Sequence, residues 1–159
     1  MSRIDLAEDK LVKYFDKMAD GCPYPFYVYD VNKFEKCKRR VFPIDADKLW
    51  NANEAYAHDI ASPSEVIMMI DTTLFKSGKT GYLFLRDGFY AQYFWKKFGA
   101  EFIPYKDIQS VQFCREHKSG RDKGMEIVMK NGRVYSKEFL EIQPEPTIEY
   151  IKEMMQSCK

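Results

Sequence analysis

Apolar positions in the first sixty residues recur at the spacing of helices. Residues 4–19 predict a helix, which Gly21 and Pro23 would end, and residues 23–31 predict a short strand. Asp45 can cap a second helix that runs to about residue 59, while residues 32–45 fit neither pattern. The first helix would bury Ile4, Leu11, Phe15 and Met18, with Ala7 and Tyr14 between them, and the second Leu49, Ala52 and Tyr56.

The pattern changes near Pro63 to short apolar or alternating runs separated by turn residues. In residues 124–130 the alternation places Met125, Ile127 and Met129 on one face. Such strands without intervening helices indicate an antiparallel sandwich or a partly open barrel. Two pairs, Asp87-Gly88 and Asn131-Gly132, predict two-residue hairpin turns with positive φ at both central residues. The strands are predicted at 65–71, 81–86, 89–95, 100–105, 107–115, 124–130 and 133–139.

A C-terminal amphipathic helix is predicted after Pro144 and Pro146, with Thr147 as its N-cap. Such a helix would cover an open end of the sheet. Its apolar face would hold Ile148, Ile151 and Met155, and its polar face Lys152, Glu153 and Gln156.

Gly78-Lys79-Thr80 matches the last three residues of a phosphate-binding P-loop. The first glycine of that motif would fall at position 73, which is Thr73, and a helix should follow the lysine. The following residues 81–86 predict a strand instead. We therefore interpret the segment as a turn.

Composition narrows the class of protein further. The chain has 159 residues, 45% hydrophobic and 31% charged, enough for one folded domain with a small appendage. Its net charge of +1 gives no argument for nucleic acid. Four cysteines without metal-ligand spacing, and an acidic start without an apolar segment, predict a cytoplasmic protein with no cofactor, no metal and no transmembrane segment.

Residues 60–157 resemble the bacterial pleckstrin-homology-like (PH-like) domains. The segments "DTTLFKSGKTGYLFLRDGFYAQ" and "FIPYKDIQSV" carry the resemblance, although Arg86 stands where a threonine is common. The resemblance implies an α+β, mainly β fold: an antiparallel barrel or sandwich of about seven strands closed by a C-terminal helix. Residues 61–159 would form this domain, and residues 1–60 a helical extension packing on it. The matching positions are Gly81, Asp87, Gly88, Phe89 and Tyr90, then Ile103, Tyr105, Asp107 and Ile108.

Two candidate binding sites follow. PH domains that bind inositol phosphates carry basic residues in the first strand–strand loop, and here Lys76, Lys79 and Arg86 half match that pattern. A solvated, lysine-rich turn is the alternative. The second candidate is a sheet face with Tyr90, Phe94 and Lys96, more apolar than an exposed sheet face usually is. Either the N-terminal helices or a partner would cover it.

Catalytic residues are not evident. Neither His58 nor His117 lies in a nucleophile motif, and the basic run Lys36–Arg40 has acidic neighbours, which favours a solvated face. We expect a non-catalytic module for protein–protein interaction or self-association. Binding of an anionic ligand or a lipid headgroup through the Lys76 loop, and an enzyme of unrecognised type, are the alternatives.

Overall fold

The N-terminal region folds into helices and two short strands. The computed structural model describes residues 3–52, 63–71, 81–92, 102–114, 124–138 and 142–159. The first predicted helix is confirmed, and Gly21 follows it with a φ of 74°. Within the predicted strand, residues 26–28 pair with neighbouring strands. The elements are helix α1 (Arg3–Met18), strand β1 (Phe26–Val28), strand β2 (Phe42–Pro43) and helix α2 (Ala46–Ala52).

A six-stranded sheet forms the centre of the molecule. Its order is β2-β1-β3-β4-β5-β6; β1 and β2 run parallel, and every other neighbouring pair is antiparallel. Strands β1 and β2 come from the N-terminal region, which the hydrophobic pattern did not place in this sheet. The remaining strands are β3 (Val66–Asp71), β4 (Gly81–Leu85), β5 (Gly88–Gln92) and β6 (Ile103–Pro104).

A second sheet of three strands and a C-terminal helix complete the described structure. The helix α3 (Pro144–Ser157) packs against α1 and against the three-stranded sheet. The fold is α+β and mainly sheet, as predicted. Over the described ranges, however, nine strands form two separate sheets and not a closed barrel. The second sheet consists of β7 (Ile108–Cys114), β8 (Gly124–Met129) and β9 (Val134–Glu138), in that order.

Both faces of the six-stranded sheet are buried, against different parts of the protein. On one face, Met68, Phe84 and Phe89 join the main core, which α1, α3 and the second sheet complete. The opposite face contributes to a smaller second core, where α2 adds its buried residue Leu49. The second core consists of Tyr27, Leu49, Val66, Met69, Leu83 and Tyr90.

Three local predictions need correction. Gly88 does not have a positive φ; it is required because a Cβ there would lie 2.3 Å from the Ile103 carbonyl oxygen. Gly132 does have a positive φ of 92°, but the loop has three residues, since the Met129 N–H donates to the Arg133 carbonyl. Thr147 is not the N-cap of α3, because the helix already begins at Pro144.

Candidate functional site

Of the three predicted anion-binding residues, Arg86 lies at the β4–β5 connection. Arg86 is exposed, and its Nε lies 3.2 Å from the Asp87 carboxylate. An arginine that has a carboxylate neighbour offers an incoming anion less net positive charge. Lys76 and Lys79 lie outside the described residues, so their part of this site stays a prediction.

Tyr90 lies in the second core and not on an open sheet face. Its side chain is 7% exposed, and its ring centroid lies 5.2 Å from that of Phe102. Residues from the N-terminal region, Tyr27 and Leu49, belong to the same cluster. At Tyr90, therefore, a helix of the N-terminal region contacts this face through Leu49, while cover of the whole candidate surface stays a prediction. The other two residues of the candidate surface, Phe94 and Lys96, lie outside the described residues.

Three exposed aromatic side chains belong to β2, to α2 and to the residue after β1, which are segments that border the second core. Trp50 is 66% exposed, Tyr29 56% and Phe42 36%. The Phe42 ring centroid lies 5.9 Å from that of Tyr27, and Trp50 lies in α2, the helix that contributes Leu49 to the second core. We call Tyr29, Phe42 and Trp50 the aromatic rim.

Backbone contacts place Tyr29 beside the same segment. The Ile44 N–H donates to the Val28 carbonyl at 3.1 Å, so the end of β1 runs along the connection from β2 to α2. Tyr29 immediately follows Val28 in the chain. The rim therefore combines side chains from β1's end, β2 and α2, and it forms only when these elements are folded together.

Opposite charges border the aromatic rim. The Arg40 guanidinium lies 5.1 Å from the Phe42 ring centroid, a cation–π distance. Asp47 is exposed in the first turn of α2, three residues before Trp50. Pro43 carries no backbone N–H, so β2 offers few donors for pairing with a further strand. Contacts at this edge would therefore be made mainly by side chains.

The basic run Lys36–Arg40 is anchored to α1. The Asp16 carboxylate accepts hydrogen bonds from the backbone N–H groups of Lys38 and Arg39, at 2.9 and 3.1 Å. Arg39 also donates to the Tyr24 carbonyl at 2.9 Å. Arg39 thus holds the local structure together, while Lys36 and Lys38 are exposed. This arrangement agrees with the solvated face expected from the sequence.

Two fully buried tyrosines, Tyr105 and Tyr150, contact each other in the main core. Their hydroxyl groups lie 3.1 Å apart, and burial raises the pKa of each above its usual value. A raised pKa keeps both side chains neutral at physiological pH. His58 and His117 lie outside the described residues. Within the described ranges, no group of three or more His, Cys, Asp and Glu side chains could hold a metal ion, and no helix is long and apolar enough to cross a membrane.

Comparisons with known protein families, with curated proteins and with solved structures return no match.

The aromatic rim was missed in the sequence, although one signal for it was present. On the predicted helix, Leu49, Ala52 and Tyr56 were assigned to the inward face, which leaves Trp50 off that face. A tryptophan on the polar side of an amphipathic helix is a candidate for a contact outside the core. Phe42 gave no comparable signal, because β2 has only two residues and no periodic pattern.

Proposed function

We propose that this protein is a non-catalytic interaction module that associates with a second copy of itself through the aromatic rim. The observation that carries the proposal is the exposure of three aromatic side chains, Trp50 at 66%, Tyr29 at 56% and Phe42 at 36%, on elements that border the second core. Single exposed apolar residues are ordinary, but tryptophan and tyrosine grouped together are typical of the centres of protein interfaces.

The charges at the rim favour a second copy as the occupant. Arg40 lies against Phe42, and Asp47 lies one turn before Trp50 in α2, so the rim carries charges of both signs. In a two-fold symmetric dimer each surface meets itself, so Arg40 of one copy can face Asp47 of the other. A surface that carries both signs can complement itself, whereas a surface of one sign would repel its own copy.

The finer assignment of the fold is also a proposal. We infer a PH-like domain over residues 61–159, with residues 1–60 packed on it. The succession of antiparallel strands β3–β9 followed by α3 supports this inference, as does the contribution of α1 to the main core. We further propose that the protein is cytoplasmic and that it functions without a cofactor. Binding of an anionic ligand through Lys76, Lys79 and Arg86 stays a prediction of the sequence.

Sedimentation velocity of the full chain over a wide concentration range tests the self-association. The wild type should shift from monomer to dimer as concentration rises. The Trp50→Ser and Phe42→Ser variants should each stay monomeric at concentrations where the wild type is dimeric. Val134→Ser is the matched control, because Val134 is also exposed, at 57%, but lies in the three-stranded sheet. It should dimerise like the wild type.

A charge exchange tests the geometry of the contact. Arg40→Asp and Asp47→Arg should each weaken the dimer, because either change places like charges opposite each other. The double variant should restore it. A wild type that remains monomeric throughout, or Trp50→Ser variants that dimerise normally, would overturn the proposal; a heterologous protein partner would then be the next occupant to test.

A further inference from the structure

A cavity of about 300 Å³ lies at the C-terminal end of α3, far along the chain from the residues of the aromatic rim. Its walls come from α3, from the 3-10 turn Tyr105–Asp107 that precedes β7, and from the β8–β9 loop. This volume is at the lower end of the range for small-molecule sites, roughly 300–1,000 Å³. The size therefore suits a small organic molecule.

Four lysines from three different elements line this cavity. Lys106 belongs to the 3-10 turn, Lys130 to the β8–β9 loop, and Lys152 and Lys159 to the end of α3 and the residues after it. None of the described side chains that line it is acidic. In a chain with 25 basic and 24 acidic residues, such a concentration of one sign creates a local positive potential. We call this cavity the lysine groove.

Compensation of the helix dipole explains only part of the cluster. Cations in the last turn of a helix or just after it are favoured by the exposed carbonyl groups, which accounts for Lys159 but not for Lys152, because Lys152 precedes the last turn of α3. Lys106 and Lys130 belong to other elements and have no such reason to face the same cavity. The Glu149 carboxylate lies 3.9 Å from the Lys152 ammonium group, and both side chains are about half exposed, so this ion pair contributes little.

The floor of the groove is apolar. Tyr105 and Ile108 are buried beneath it, and Met155 lines it from α3. Two hydrogen bonds fix the walls relative to each other. The Lys130 N–H donates to the Asp107 carbonyl at 2.8 Å, and the Tyr105 hydroxyl is bonded to Tyr150 of α3. A preformed site of this kind loses less entropy on binding.

We propose that the lysine groove binds a small anion with an apolar body, such as a phosphate monoester on a ring or a chain. The phosphate would meet Lys106 and Lys130, and the apolar part would lie on Ile108 and Met155. Lysine ammonium groups are suited to this role, because each can donate several hydrogen bonds to phosphate oxygens as a mobile point charge. This site is separate from the aromatic rim and does not depend on self-association.

Cys158 lines the groove and provides a direct reporter of its occupancy. The experiment measures the rate at which iodoacetamide alkylates Cys158 in the full chain, by mass spectrometry of the peptide that contains it. Three probes are compared: phenyl phosphate, inorganic phosphate and benzyl alcohol. Phenyl phosphate should slow the alkylation saturably, at lower concentration than either the anion or the neutral ring alone, because only phenyl phosphate engages both the lysines and the apolar floor.

Paired lysine variants locate the site. The Lys106→Gln/Lys130→Gln variant should need about tenfold more phenyl phosphate, or more still, for the same protection, because two charged donors are lost. The control Lys36→Gln/Lys38→Gln removes the same charge from exposed positions elsewhere and should behave like the wild type. Unchanged thermal unfolding of both variants would show that the fold is intact.

The source of the anion is resolved with vesicles. If phosphatidylcholine vesicles that contain phosphatidic acid sediment with the wild type but not with Lys106→Gln/Lys130→Gln, the headgroup of a membrane lipid is a ligand. If phenyl phosphate protects Cys158 but the vesicles do not bind, the ligand is a free small molecule. No saturable protection of Cys158 by phenyl phosphate, or equal protection in Lys106→Gln/Lys130→Gln, would overturn the proposal.

Discussion

The hydroxyl groups of Tyr105 and Tyr150 lie 3.1 Å apart with both side chains fully buried. Tyr105 belongs to the 3-10 turn between β6 and β7, and Tyr150 to α3. The rings also make an edge-to-face contact, with centroids 6.0 Å apart. This pair is therefore one of the contacts that attach the C-terminal helix to the rest of the core.

Removing one hydroxyl of this pair should destabilise the protein more than the lost bond alone implies. Tyr150→Phe leaves the Tyr105 hydroxyl buried with no partner at that position, which should cost about 1–3 kcal/mol of unfolding free energy. The double variant Tyr105→Phe/Tyr150→Phe removes both polar groups and should cost less than the sum of the single changes. Urea unfolding of the wild type, the two single variants and the double variant measures this coupling. A cost in the double variant equal to the sum of the two single costs would contradict it.

The same pair predicts how stability depends on alkaline pH. Burial raises the pKa of both phenols above the usual value of 10.0, so the folded chain keeps protons that the unfolded chain releases. Because the unfolded state then binds fewer protons, the free energy of unfolding should fall as pH rises above 10.0, by about 1.4 kcal/mol per pH unit for each tyrosine.

Tyr105→Phe/Tyr150→Phe should show a shallower decline over the same pH range. Denaturant unfolding at pH values on either side of 10.0 gives these slopes. A decline as steep in the double variant as in the wild type would show that other groups cause it.

Gly88 should be far less tolerant of substitution than its φ angle implies. In Gly88→Ala the new Cβ would meet the Ile103 carbonyl oxygen at 2.3 Å and the Phe102 ring at 2.7 Å, so the pairing of β5 with β6 must shift. We expect a loss of about 3 kcal/mol or more, the upper end of the cost of overpacking. Thermal or urea unfolding measures it.

Gly132 is the matched glycine for this comparison. Its φ of 92° is strained for other residues, but a Cβ there would have no neighbour within 4 Å. Gly132→Ala should therefore cost only about 1–2 kcal/mol, from the left-handed backbone alone. Gly132→Asn should cost less again, because asparagine tolerates that conformation, whereas Gly88→Asn should be as damaging as Gly88→Ala. Equal losses of unfolding free energy for Gly88→Ala and Gly132→Ala would contradict the close approach of the Ile103 carbonyl oxygen to Gly88.

The sequence predicted elements with a long, regular pattern and missed those that depend on distant partners. Helix α1 carries one apolar face over sixteen residues, and β8 alternates from Met125 to Met129 between buried and partly exposed side chains, so local periodicity was sufficient for both. Strand β2 has two residues and exists only because it pairs with β1, a parallel contact across some fifteen positions of chain that no local pattern encodes.

Contacts between elements also explain why the sequence did not predict the surroundings of several charged side chains. The sequence placed Glu153 on the polar face of α3, but its carboxylate turns to α1 and meets Lys10 and Lys13. Likewise, the four lysines of the lysine groove are separated by up to 53 positions, and each reads as an ordinary surface residue in the sequence. Only the packing of α3 on the second sheet brings them to one cavity.

The Glu153 contact gives a prediction with a defined pH window. Its carboxylate lies 3.2 Å from both the Lys10 and Lys13 ammonium groups. The hydrogen bond with Tyr14, followed by those with Lys13 and Lys10, lowers the pKa of the Glu153 carboxyl below its usual 4.5. A lowered folded-state pKa stabilises the protein above the unfolded value, and this contribution is lost as pH falls through the folded-state value.

Glu153→Gln should therefore lower the unfolding free energy at pH 7 by about 1 kcal/mol or less, since the group is partly exposed. The amide can still accept from Tyr14, so the change isolates the charge. The difference from the wild type should shrink as pH falls below 4.5 and as salt is added. Glu149→Gln, which alters an exposed pair within α3, should have almost no effect. Urea unfolding of the wild type and of Glu153→Gln at neutral and acidic pH measures this difference. If the loss of unfolding free energy is the same at both pH values, then packing and not charge holds α3 against α1 at Glu153.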